Sequence, residues 1–90
     1  MYNIEFTATG KITLRHFGDI EQQRVLAVLN KAVAEFKGKR VDTPQLRCLS
    51  DDYYQFFIDK ELRVMTKLKD HTFRVIDVFE NSSLEKFVMS

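Results

Sequence analysis

Ninety residues, 44% hydrophobic and 30% charged, make a single globular domain spanning residues 1–90 and argue against disorder. One cysteine excludes a disulfide framework, two scattered histidines argue against a zinc site, and no apolar run reaches the ~20 residues of a membrane span. Fourteen basic against thirteen acidic residues leave a net charge of +1 and no overall field toward nucleic acid; residues 1–15 lack a signal-peptide pattern, so the cytoplasm is the expected compartment.

Tyr2 to Ala8 reads as a strand, because Tyr2, Ile4 and Phe6 alternate with Asn3, Glu5 and Thr7. Gly10 breaks that pattern. Lys11 to Phe17 suits either a short helix or a strand; the helix is the better reading, with Gly18 as its terminator. Asp19 to Lys37 is a longer helix. Asp19 is placed to cap it, with Gln22 three residues on, and Val25, Leu26, Leu29, Val33 and Phe36 form one apolar stripe. Gly38 suits a left-handed stop. Val41 to Gln45 holds the only proline and reads as a loop.

Three strands are expected next. Tyr53 to Asp59 is apolar on both parities, which predicts a central strand buried on both faces. Glu61 to Leu68 alternates Leu62, Val64 and Leu68 with Arg63, Met65 and Lys67, and Lys69-Asp70-His71 suits a hairpin turn. Thr72 to Phe79 is the third, with Phe73, Val75, Ile76 and Val78 supplying bulk. A helical turn is expected after Ser83, around Leu84, Phe87 and Val88. The whole is α+β: strand, two helices, an antiparallel three-stranded meander and a short terminal helix. The first strand lies at an edge, the helices cover one sheet face, and the other face stays open for a ligand. An exposed edge leaves room for a homodimer.

Isolated polar residues have plain uses. His71 falls in a turn, His16 at a helix end, and Cys48 packs as a small apolar residue. Asp51 and Asp52 suit a turn before the strand. The aromatic run Tyr53, Tyr54, Phe56 and Phe57 either stacks bases on an open sheet or packs the core, and core packing is the plainer use.

In order and spacing the chain resembles the RelE/ParE superfamily of toxins from type II toxin–antitoxin systems. Tyr2-Asn3-Ile4-Glu5-Phe6-Thr7 looks like the family's first strand, and Leu46-Arg47-Cys48-Leu49 is similar to its stretch leading into the second. Leu62-Arg63-Val64-Met65 resembles its aromatic-Arg-Val-hydrophobic piece, and Phe73-Arg74-Val75-Ile76-Asp77-Val78 its last strand. The resemblance implies a cognate antitoxin and one of two activities. RelE-type members cut messenger RNA in the ribosomal A site as metal-independent endoribonucleases, without a cofactor. ParE-type members carry no nuclease centre and act on gyrase, so the alternative is a binding protein directed at gyrase or another protein.

Cleavage by 2′-hydroxyl attack builds charge on a pentacoordinate phosphate, which needs a cation, a base and an acid. Arg63 matches the family's arginine and is the expected catalytic residue. Its parity opposite Leu62 and Val64 points it to the open face, with Lys67 on the same side. Arg47, Lys67, Arg74 and Tyr54 are the expected RNA-binding residues; a solvated sheet face accounts equally for the charged ones. Where RelE-type members place basic residues on the second strand this chain has Tyr54 and Phe56, and after the last strand it has Glu80 and Asn81 in place of Arg, Lys or His. Phe87 stands nearest the family's C-terminal tyrosine.

Overall fold

The computed structural model describes residues 2–38 and 44–80. Its elements are β1 (Asn3–Phe6), α1 (Ala8–Arg15), α2 (Asp19–Glu35), β2 (Leu46–Cys48), β3 (Tyr53–Phe57), β4 (Leu62–Lys69) and β5 (Thr72–Glu80). The five strands form one sheet in the order β1-β5-β4-β3-β2. The α+β architecture and the antiparallel meander match expectation. β1 lies at an edge and pairs parallel with β5, a pairing the two intervening helices make possible. The expected turn after Ser83 lies outside the described residues. Among the described residues no helix is long and apolar enough to cross a membrane.

Two differences from the sequence reading concern the sheet. Leu46–Cys48 is a strand in its own right, paired antiparallel with β3. Three residues are too few to show a period. β3 is interior, between β2 and β4, yet it is buried on one side only. Tyr54, Phe56 and Ile58 enter the core, whereas Tyr53, Gln55 and Phe57 stand on the far face.

α2 supplies Val25, Leu29 and Val33 to the core, at the i, i+4, i+8 spacing of one helix stripe. Leu26 falls off that stripe and is exposed. Phe36, at the helix's end, meets the rings of Tyr2, Tyr54 and Phe73 edge-on at 4.8, 5.5 and 5.1 Å, an arrangement aromatic quadrupoles favour. The cap differs from expectation. Gly18 rather than Asp19 is the N-cap residue, and its N–H donates to the Glu21 carboxylate at 3.0 Å. Gln22 instead donates to the carbonyl of Phe17 at 2.7 Å. Gly38 does take the left-handed conformation (φ +77°).

β5 carries a bulge. Its register with β4 runs Thr66↔Val75 and then Met65↔Asp77, so Ile76 is the extra residue. The slip explains the apolar spacing. Phe73 and Val75 are two apart, Val75 and Val78 three apart, and all three are buried. β1 is shorter than β5 and pairs only with Thr72 to Val75. Beyond that point α1 closes the edge. The Thr13 hydroxyl accepts from the Val78 N–H at 3.0 Å, and the Val75 carbonyl accepts from both the N–H and the hydroxyl of Thr7 at 3.0 Å. Thr7 also caps α1, accepting from the Gly10 N–H at 3.0 Å.

Gly10 therefore sits inside α1 rather than before a helix, pressed against β5. A Cβ there would fall 2.1 Å from the Val75 carbonyl oxygen, which Thr7 holds in place. Ala at this position gains helix propensity of about 1 kcal/mol. The overlap with backbone outweighs that gain. Overpacking usually costs about 1–3 kcal/mol, so Gly10→Ala is expected to lose up to about 2 kcal/mol net, read as a lower urea midpoint. A raised midpoint would show that α1 can lift from the sheet at little cost.

Candidate functional site

α2 and the core cover one sheet face; the other carries the alternate residues of every strand. The strand register sorts them into rows. One row holds Phe57, Arg63 and Phe79; the next Arg47, Gln55, Met65 and Asp77; a third Tyr53, Lys67, Arg74 and Glu5. Expected Arg63, Arg47, Lys67 and Arg74 all lie here, so the parity argument for Arg63 holds. Tyr54 does not join them. It is 4% exposed and faces the rings of Phe36 and Phe73 in the core. RNA binding by Tyr54 is thus overturned, because its parity matches Phe56 and Ile58. Phe56 is fully buried for the same reason, so neither residue stands where a basic side chain would face a ligand.

Phe57 organises the first cluster. The Arg63 guanidinium lies over its ring at 4.7 Å from the centroid and that of Arg47 at 5.5 Å. Cations over an aromatic face are attracted by its quadrupole, so two like charges are gathered on one ring. Arg63 is also tied to the backbone. Its Nη1 donates to the Asp59 carbonyl, and to that of Leu62 at 3.4 Å. The resulting cleft is about 670 Å³ and is completed by Pro44, Gln55, Asp59 and Lys60. Arg47, Arg63 and Lys60 make it cationic.

Asp59 shapes the turn from which Arg63 emerges. Its Oδ1 accepts from the N–H groups of Leu62 and Glu61 at 2.8 and 2.9 Å, and its Oδ2 pairs with Arg24 of α2 at 2.9 Å. The Leu62 N–H above all holds its carboxyl below the ordinary value; burial opposes it, and the Glu61 N–H and the hydrogen bond and charge of Arg24 add to the lowering. Committed in this way, Asp59 is a poor proton acceptor; its part is to position Arg63. The lowered value sets the sign of a pH effect. The stabilisation is present above the unfolded carboxyl's pKa, about 3.9, and disappears as pH falls through the lower folded value. The urea midpoint of wild type is expected to exceed that of Asp59→Asn near neutrality, and the gap to close below about pH 4. An unchanged gap at pH 3 would remove Asp59 from this role.

Lys67 lies over the ring of Tyr53 at 5.5 Å, and Arg74 reaches Glu5 at 3.8 Å with both side chains more than half exposed. Such an exposed pair contributes little and leaves Arg74 open to a competing anion.

A second groove, about 840 Å³, runs between α1 and the bulged end of β5, lined by Thr13, His16, Phe17, Met65 and Phe79. Asp77 and Glu80 line it too, and among the described residues no lysine or arginine does. Glu80 is thereby placed beside α1, on the parity opposite Phe79 and Arg63. Asn81 and Phe87 lie outside the described residues. His71 occupies the hairpin turn, as expected, with Asp70; both take positive φ (62° and 52°). His16 caps the end of α1, and half-buried Cys48 packs against the core.

Nothing in the sequence pattern marks Lys60 or Asp59 for the site, and it offers Phe57 only within an aromatic run whose plainer use is the core. A signal for Phe57 was present: it shares parity with Tyr53 and Gln55, and polar Gln55 marks that side as wet.

No protein-family model matches the chain, and no curated protein matches it significantly. Solved structures do match. The isolated E. coli RelE toxin superposes with a TM-score of 0.67 at 17% identity, over 99% of this chain and 97% of that one. The YoeB–YefM complex from Staphylococcus aureus gives 0.64 at 15% identity, over 88% and 95%. The E. coli DinJ–YafQ toxin–antitoxin complex gives 0.56 at 16% identity, over 92% and 96%. At such identities the likeness concerns the path of the backbone, and it covers nearly the whole chain: this protein has the α+β fold of the RelE-like toxins.

Proposed function

We propose that this chain is the toxin of a type II toxin–antitoxin pair and cuts messenger RNA on the ribosome, with the uncovered sheet face as its RNA surface. One observation carries the reading: two guanidiniums, Arg47 and Arg63, converge on Phe57 on the face that neither described helix covers. Attack of a 2′-oxygen on the adjacent phosphorus forms a 2′,3′-cyclic phosphate, breaks the bond to the 5′-oxygen of the next nucleotide, which leaves with a proton, and on the way adds negative charge to the phosphoryl oxygens. Preorganised cations at that point act where charge develops and require no rearrangement during the step. Arg63 takes this part in the reading, and its hold on the Asp59 and Leu62 carbonyls supports it. Arg47 and Lys60 neutralise the same phosphate or its neighbour, and Lys67 and Arg74 engage chain further along. Proton transfer falls to groups other than Asp59, which is bound up in its turn. The likeness to RelE, YoeB and YafQ supports this reading. An antitoxin partner is supported by the complexes in which YoeB and YafQ were solved, with YefM and DinJ.

Controlled expression of wild type and Arg63→Ala tests it. Growth arrest with transcripts cut on ribosomes, lost in the variant, is expected. Unaffected growth under wild type would overturn the toxin reading. Arrest with whole transcripts and altered DNA supercoiling would move the target to gyrase.

A further inference from the structure

We propose that Tyr53, Lys67 and Arg74 form a second nucleotide subsite, in which the Tyr53 ring stacks on an unpaired base while Lys67 and Arg74 hold the adjoining phosphate. The inference rests on the RNA reading above and extends it to how the strand lies on the sheet.

The outer parity of β3 is Tyr53, Gln55, Phe57. Both of its aromatic residues have a cation from the next strand above the ring: Arg63 on Phe57 at 4.7 Å and Lys67 on Tyr53 at 5.5 Å. The same unit is thus built twice along one strand, four residues or ~13 Å apart. Between the two lies the row of Gln55 and Met65, both half-buried. Tyr53 is 38% exposed, whereas Tyr54 beside it is buried. Among the described residues no other ring packs against Tyr53, and Lys67 makes no ion pair. Core packing therefore accounts for Tyr54 and leaves Tyr53 unexplained.

Exposed aromatic rings with adjacent cations on an open sheet suit single-stranded nucleic acid. Every unpaired base has a π-face to stack, and the backbone phosphates answer the charges. A paired duplex buries those base faces and would not use Tyr53. Arg74 is registered opposite Lys67, and its weak pairing with Glu5 yields readily to a phosphate. The strand would run along β3 from Phe57 to Tyr53, so this subsite grips nucleotides flanking the cleaved one.

Binding of a fluorescein-labelled 2′-O-methyl nona-adenylate, which cannot be cleaved by 2′-oxygen attack, is the test. Tyr53→Ala and Tyr53→Leu are expected to raise Kd about tenfold, and Tyr53→Phe to stay near wild type. Lys67→Ala is expected to lower the slope of log Kd against log salt by about 0.7. Arg47→Ala is the control on the first cluster. If Arg47→Ala weakens binding while Tyr53→Ala and Tyr53→Leu stay within twofold of wild type, the second subsite is wrong and the RNA reading survives. If wild type fails to bind the oligomer, the second subsite is overturned, while growth arrest and cutting of transcripts on ribosomes decide the RNA reading.

Discussion

Arg63→Ala is expected to reduce the rate of ribosome-dependent messenger RNA cleavage by about 10²-fold or more, the usual effect of removing a charge-stabilising group from a transition state. The loss should fall mainly on kcat, because Arg47 and Lys60 remain to bind the ground-state phosphate. Arg63→Lys should recover only part of the rate. An ammonium keeps the charge but has neither the planar fork that binds oxygens in pairs nor the flat face that lies on Phe57. Arg63 also ties down the β3–β4 turn through the carbonyls of Asp59 and Leu62. The alanine variant should accordingly lose about 1 kcal/mol of stability. That loss is too small to unfold a domain of ordinary stability, so a fall in rate reports chemistry. Single-turnover cleavage together with a urea titration separates the two. A rate within threefold of wild type would take Arg63 out of the mechanism.

The largest structural effect is expected at Phe73. Its ring is fully buried and is met edge-on or tilted by Tyr2, Phe36, Tyr54 and Phe56, with centroids 5.1 to 6.0 Å away. It thus joins β5 to β1, to β3 and to the end of α2. Phe73→Ala removes those contacts and leaves a cavity, at a cost of about 3–5 kcal/mol. A domain of this length has about 5–13 kcal/mol in all, at ~0.05–0.15 kcal/mol per residue. The variant should be partly unfolded at 37 °C, and its urea midpoint should drop by more than ~1 M. Phe73→Leu should recover much of the loss by refilling the space. A midpoint shift below 0.3 M for Phe73→Ala — roughly what a surface change produces — would show that the aromatic cluster is not where the stability resides.

How much of this was legible beforehand depended on the range of the interaction involved. The α2 stripe and the β4 alternation are local periodicities, and Val25, Leu29, Val33 and the outward side of Arg63 followed from them. β3 was harder because both of its parities are apolar. Hydrophobicity alone does not distinguish the Tyr54 side from the Tyr53 side, and Tyr54, expected on the open face, lies in the core. Parity with Gln55 would have corrected it. The bulge at Ile76 left a trace in the change from two- to three-residue spacing across Phe73, Val75 and Val78, readable only once β4 supplies the register.

The sequence by itself determined the α+β class, the antiparallel meander, the helix that backs it and the presence of Arg63 and Lys67 on a shared, uncovered side. Alternation and helical spacing encode these, since each reflects burial of side chains a few residues apart. Only the tertiary structure decided that β1 runs parallel to β5, that α1 closes the edge β1 leaves, that Gly10 must lack a side chain, and that Arg47 meets Arg63 on Phe57. The contacts of β1, α1 and Gly10 join residues sixty-five to sixty-nine positions apart, and the two arginines that share Phe57 are sixteen apart; such meetings are set by packing the finished sheet, with no local pattern to announce them.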